Sequence, residues 1–311
     1  MNKKIVVIII VAAAILALSC YMLFFRKSSE PKVLGLSVNR FYVNKNIEID
    51  KIPSRHPDAE DPNILADVIM LMDDRSKYPL FYKNETEPVP IASITKVMTF
   101  VVAREKYNLD DILEVGDEPT EVIGSKINLE KSEKITVKSL LYGLLINSGN
   151  DAAVALSQFG GNEQEFVNRM NEKALELGMN NTHFIDPAGL NDAGRSCAFD
   201  VAVMFSYALK DELFKEIVST SEFEISSVDG QITHPLKNSN RLVTGEIQLD
   251  GILGGKTGFT LDAGHTLVSA AERDGNKLIS VILKTHVNSK TASALESQKL
   301  LSWGFESFSF N

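Results

Sequence analysis

Strand-like segments stand near both ends of residues 61–311, and the stretch between them is helical in pattern. That order constrains the fold more than any other feature. Ala66–Met72 is a short apolar run, Asp73–Lys77 makes a polar turn, and Tyr78–Lys83 returns as a second strand. A second pair, Gly264–Glu272 and Lys277–Lys284, flanks the turn Asp274-Gly275-Asn276. Helices are predicted from Ser93 to about Lys106, over Lys138–Leu145, from Asp151 towards Phe159, over Glu163–Leu177, and over Lys290–Phe305. The expectation is an α/β domain: one antiparallel sheet assembled from both ends of the chain and covered by helices.

Ahead of this domain, residues 1–27 place an apolar run, Ile5–Phe25, between basic residues. As a helix it would span about 31 Å, close to the ~30 Å hydrocarbon core of a bilayer. Ala17 and Ser19 would suit a cleaved signal, and Cys20 could end a lipobox. Apolar residues continue through Tyr21–Phe25, however, past the point where a signal core stops. The preferred reading is therefore an uncleaved single-pass anchor; all three readings export residues 28–311. Residues 28–60, punctuated by Pro31, Pro53 and Pro57, read as a juxtamembrane spacer with strand character at Leu36–Val43.

The formal net charge is −9, and residues 1–27 hold four bases and no acid, so the remainder is more acidic still. Such a body argues against a nucleic-acid partner. The two cysteines, Cys20 and Cys197, are not expected to pair, because Cys20 lies in the apolar run. The five histidines are scattered and neither CxxC nor HExxH occurs, so neither a metal nor another cofactor is expected.

Three short motifs carry chemistry. In Ser93-Ile94-Thr95-Lys96, residues three apart on a helix share a face, so the amine can approach the hydroxyl. Serine needs a base to become a nucleophile, and lysine serves once burial or nearby cations lower its pKa. Ser148-Gly149-Asn150 lies at a helix–helix junction, where a hydroxyl and a carboxamide can relay a proton and hold a carbonyl. Lys256-Thr257-Gly258 offers positive charge, a hydroxyl and close backbone approach to an anionic group. It is not a phosphate loop: Asp250 stands where the first glycine of that loop is required, and no helix pattern follows. Each motif alone is weak. Their order and context make the case, and the trio is that of penicillin-binding proteins and class A β-lactamases.

With the blocks Ile91–Lys96, Leu141–Ala153, Asn181–Phe184, Gly254–Thr260, Ala263-Gly264 and Lys299–Phe305, the chain resembles the low-molecular-mass penicillin-binding proteins, the D-alanyl-D-alanine carboxypeptidases. The resemblance covers about Ala66 to Phe308 and implies the penicillin-recognising α/β fold, a five-stranded antiparallel sheet with helices on both faces. It also implies peptidoglycan stem peptides as substrate and β-lactams as covalent inhibitors. By the same resemblance Ser93 is acylated, Lys96 is its general base, and Ser148 relays a proton to the leaving D-alanine with help from Lys256. Asn150 holds the acyl part of the substrate, Thr257 its terminal carboxylate, and the N–H groups of Ser93 and Phe259, beside Gly258, form the oxyanion hole.

The chain departs from the family at Ala188, where His is frequent, and at Ser293, where an arginine is expected. Lys290, one turn earlier if the closing helix includes it, is the candidate substitute for that cation. No β-rich second domain or C-terminal anchor follows Phe308, which leaves the N-terminal segment as the expected tether. The alternatives are a β-lactamase, against which stands Gly149 where Asp is usual, and a non-catalytic penicillin-binding scaffold, against which stands the full set of catalytic side chains.

Overall fold

The computed structural model describes residues 52–285, 287 and 289–310. The expected membrane segment, and the strand expected at Leu36–Val43, lie outside these residues. In chain order the elements are β1 (Ser54–Arg55), β2 (Val68–Asp73), β3 (Pro79–Lys83), a 3-10 turn (Ala92–Thr95) running into α1 (Lys96–Lys106), β4 (Ile112–Glu114), α2 (Asp117–Glu121), β5 (Lys134–Thr136), α3 (Val137–Leu145), α4 (Asn150–Gln158) and α5 (Glu163–Glu176). There follow α6 (Ala198–Ala208), α7 (Glu212–Ser219), the hairpin β6 (Glu222–Ser226) and β7 (Thr233–Lys237), then β8 (Ile252–Thr260), β9 (Gly264–Arg273), β10 (Asn276–Thr285), α8 (Ala292–Ser307) and β11 (Phe308–Ser309).

The main sheet has five strands in the order β3-β2-β10-β9-β8, all antiparallel. Its centre joins the first hairpin to the last: Met70 faces Val281 and Met72 faces Ile279. Strand periodicity then sorts the side chains into two cores. Val68, Met70, Met72, Val268, Ala270, Ile279, Val281 and Leu283 join the helical core of α1, α3–α7. Ile69, Leu71, Leu267, Leu278 and Ile282 pack with Leu300 and Leu301 of α8 on the other face. Because both faces are covered, β2 is buried throughout and reads as an unbroken apolar run from Val68 to Met72. Gly304 lets α8 approach closely; a Cβ there would lie 2.6 Å from Leu71 Cδ2 and 2.8 Å from Leu278 Cδ1.

Four differences from the sequence expectation stand out. The sequence reading assigns no element between residues 178 and 250, where α6, α7, β6 and β7 lie. Helix α6 is largely buried, and its least buried residues, Phe199, Val203 and Tyr207, are themselves apolar or aromatic, so no polar stripe marks it. The β6–β7 hairpin carries a signal that was there to read, Asp229-Gly230, with Gly230 at φ +71°. Ser54-Arg55, in the expected spacer, pair with Ser309 and Phe308.

The fourth difference is a correction at the closing helix, which begins at Ala292, not at Lys290. Ser289 and Thr291 share a hydroxyl–hydroxyl hydrogen bond of 2.7 Å, and Ala292 N donates to Ser289 O at 3.0 Å, so a turn occupies this position. Lys290 is therefore not one helical turn from Ser293 on a common face, and Ser293 is itself buried. The argument that made Lys290 the carboxylate partner fails with it.

Candidate active site

The site forms where the 3-10 turn before α1, the α3–α4 junction and strand β8 meet, the turn packing against β8 and β9. Two of its residues hold the left-handed backbone that non-glycine residues rarely adopt: Ala92 at φ +50° and Ser148 at φ +58°. Each such residue costs on the order of 1–3 kcal/mol and persists only where its surroundings over-determine it. Ser93, next to Ala92, is half-buried, and Ser148 is buried.

Lys96, the first residue of α1, is fully buried. Its Nζ lies 2.8 Å from Asn150 Oδ1, 2.8 Å from the Ala188 carbonyl and 2.9 Å from Ser93 Oγ. The orientation of the Asn150 amide follows from its other end: Nδ2 donates to the Ile123 carbonyl at 2.6 Å, so Oδ1 must face the lysine. Asn150 Oδ1 and Ala188 O can only accept. A neutral amine spends both hydrogens on them and turns its lone pair to the Ser93 hydroxyl.

The protonation state supports that arrangement. Burial pushes the Lys96 ammonium well below its usual range, and the charge of Lys256 pushes it further; Asp186 and Asp151 oppose the shift. Asp186 in turn shapes the loop that supplies the Ala188 carbonyl, accepting from the N–H groups of Ala188, Gly189, Leu190 and Asn191.

Lys256, on β8, is also fully buried, and burial alone lowers it to about 7. Its Nζ donates to Ser148 Oγ and to the Thr257 carbonyl, both at 2.9 Å. The chemistry needs Lys96 neutral as a base while Lys256 stays a cation, and the Lys256 charge favours that division by disfavouring a second proton on Lys96.

The rest of the third motif lies alongside. Thr257 Oγ1 is hydrogen-bonded to Ser239 Oγ, a neighbour the sequence reading did not single out. Gly258 has no room for a side chain: a Cβ would lie 2.9 Å from Ser93 N, 2.9 Å from Ile91 O and 2.6 Å from Thr266 Oγ1. The β8 backbone thus approaches Ser93 without an intervening side chain, as an oxyanion hole needs. Phe259 is largely exposed and packs against His265, the tilted rings 4.6 Å apart between centroids.

All the sequence-selected residues, Ser93, Lys96, Ser148, Asn150, Lys256, Thr257, Gly258 and Phe259, come together at this junction. What spacing left unread is the framework: the Ala188 carbonyl, Asp186, Ser239 and Asp151. Ala188 was noted only for its side chain, and Asp186 left a trace in the turn-forming Asp-Pro pair ahead of Gly189.

A bell-shaped profile of kcat/KM against pH follows. Activity is lost on the acid side as Lys96 gains its proton, and on the alkaline side as Lys256 loses its own near a pKa of about 7. Lys256→Arg keeps the charge at every working pH. Rate measurements on it are expected to show a lower maximum and no alkaline limb; an unchanged alkaline limb assigns that limb to another group.

Comparison with known proteins agrees with this geometry. The family described as D-alanyl-D-alanine carboxypeptidase matches residues 55–287. The D-alanyl-D-alanine carboxypeptidase DacF of Bacillus subtilis is 37% identical over 211 residues, which cover 65% of this chain and 53% of the relative. DacC of Escherichia coli is 34% identical over 264 residues, covering 80% of this chain and 64% of the relative. The chain thus spans about half to two-thirds of the length of these curated relatives. Among solved structures, the Streptomyces K15 DD-transpeptidase superposes with a TM-score of 0.74 at 30% identity, covering 79% of this chain and 99% of that one.

Proposed function

Because the chain belongs to the D-alanyl-D-alanine carboxypeptidase family, we propose that it removes the terminal D-alanine from peptidoglycan stem peptides through an acyl-enzyme on Ser93. The observation that carries the proposal is the placement of Lys96. Its two hydrogen-bonded carbonyl partners leave one direction free, and Ser93 Oγ stands in it at 2.9 Å.

Ser93 Oγ attacks the carbonyl carbon of the penultimate D-alanine, and its proton passes to Lys96 Nζ. Charge that develops on the carbonyl oxygen is met by the N–H groups of Ser93 and Phe259. The C–N bond then breaks, and Ser148, beside the charged Lys256, hands its proton to the leaving amine while taking the one held by Lys96, which is neutral again. Water attacks the ester, its proton going to Lys96 and from there to the departing Ser93 oxygen, and the shortened peptide is freed. Asn150 holds the acyl portion, and Thr257 with Lys256 faces the terminal carboxylate. A β-lactam presents a similar carbonyl and acylates the same serine. Peptide mapping of the protein after labelling with penicillin tests the assignment: the adduct is expected on Ser93, and an adduct elsewhere removes the basis for the scheme.

The proposal extends to location. Residues 1–27 anchor the protein in the cell membrane as a single span, with the catalytic domain outside the cytoplasm; the charge-free run Ile5–Phe25 supports this. Full-length protein is expected to stay with membranes through high-salt washing, and residues 28–311 are expected to be soluble. Release by salt, or a mature chain starting near Cys20 without lipid, contradicts the anchor.

A further inference from the structure

Outside the catalytic groups, the most complete buried polar cluster links the β6–β7 hairpin to the α3–α4 junction. His234 of β7 is 3% exposed, and the Glu133 side chain beside it is fully buried. His234 Nε2 lies 2.8 Å from Glu133 Oε1, whose other oxygen accepts from Glu130 N at 3.0 Å. On the far side of the ring, Nδ1 lies 2.9 Å from the Ile127 carbonyl. A carbonyl only accepts, so Nδ1 carries a hydrogen and donates it.

The same Ile127 peptide is held at its other end. Ile127 N donates to both Asp151 carboxylate oxygens at 3.0 Å; Asn128 N and Leu129 N donate to Asp151 at 2.8 and 3.2 Å, and Ala152 N at 2.9 Å. Residues 122–133 form no helix or strand, so contacts of this kind fix their course. What that course delivers is the seat of Asn150: Ile123 O accepts from Asn150 Nδ2 and Ser125 O accepts from Asn150 N at 2.8 Å. Asn147 Nδ2 adds a bond to Lys126 O at 2.7 Å.

We propose that His234 is a positioning residue for the acylation step: by donating Nδ1–H to Ile127 it fixes the 123–129 segment, and through it the Asn150 amide that orients Lys96 towards Ser93. The proposal rests on the Ser93 acyl-enzyme reading above. The Glu133 contact secures the ring, while the Ile127 contact carries the effect on chemistry.

Two substitutions separate the contacts. His234→Gln places its amide nitrogen near the imidazole Nε2, keeping the Glu133 contact and losing the Ile127 donor. Glu133→Gln keeps the Ile127 donor and replaces the buried acid by an isosteric amide. Stopped-flow acylation of the full-length protein by a labelled penicillin is expected to show a limiting rate about tenfold lower in His234→Gln, with the half-saturating concentration unchanged. Glu133→Gln should stay within about twofold of the parent in both parameters. A merely structural role would lower the melting temperature of both variants and leave the rate per folded molecule alone. Equal acylation rates in the two variants, or a parent-like His234→Gln, overturn the proposal.

Should His234→Gln fail to fold, His234→Asn in the Glu133→Gln background answers the question. Asparagine places its Nδ2 where Nδ1 stood, with no buried charge left behind. It must acylate like Glu133→Gln, and a tenfold slower rate overturns the proposal. An unlabelled parent protein would instead reject the acyl-enzyme reading itself.

Discussion

Ser93→Ala is expected to abolish covalent capture of penicillin and release of D-alanine while leaving the fold intact. Ser93 sits half-buried on the 3-10 turn, and its hydroxyl makes one hydrogen bond, to Lys96. Removing it leaves Lys96 with both carbonyl partners in place, so the fold loses on the order of 1 kcal/mol. For a domain of this size that is a fall in melting temperature of about 2–4 °C. The chemical loss is different in kind, because no other hydroxyl has the lysine lone pair aimed at it. Ser148 is the nearest in character, but its oxygen is engaged by Lys256. Thermal unfolding and a labelling gel on the same preparation separate the two effects. Label that persists on the variant shows another nucleophile.

Lys96→Ala is expected to slow acylation by roughly 10²–10⁴-fold, the usual contribution of a positioned general base. Two substitutions make the test specific to proton transfer. Lys96→Arg restores a cation but supplies a group that cannot give up its proton at working pH, so it should be no faster than alanine. If lysine acted only as a fixed charge, arginine would recover much of the rate. Lys96→Ala also leaves Asn150 Oδ1 and the Ala188 carbonyl without their donor, each costing about 1–3 kcal/mol. Against this, the buried amine no longer has to be desolvated, the largest influence on its pKa. The melting temperature is therefore a poor guide to the role of Lys96, and the rate is the quantity to measure.

The sheet was legible because its central strands are covered on both faces: Val68–Met72 is apolar without a break, and Leu278–Leu283 is apolar but for Ser280. Buried α6 was illegible for a related reason, since its least buried face carries Phe199, Val203 and Tyr207 and so has no polar stripe to mark its period. At the site, the side chains that react were legible because hydroxyl, amine and carboxamide recur in a fixed order. The groups that orient them were not. The Ala188 carbonyl is a backbone atom and leaves no residue signature, and Asp151 looks from sequence like the acidic first turn of α4, whereas it collects four backbone N–H groups. Lys290 marks the opposite error. A helix boundary placed two residues early supplied a face that the Ser289–Thr291 turn removes, and boundaries are where pattern reading is weakest.

The proposed reaction is tested most directly by its products. Full-length protein incubated with a stem pentapeptide ending in D-Ala-D-Ala, and followed by mass spectrometry, is expected to yield the tetrapeptide and free D-alanine in equal amounts, with both absent after prior exposure to penicillin. A pentapeptide left intact by protein that penicillin still labels on Ser93 would contradict the carboxypeptidase assignment.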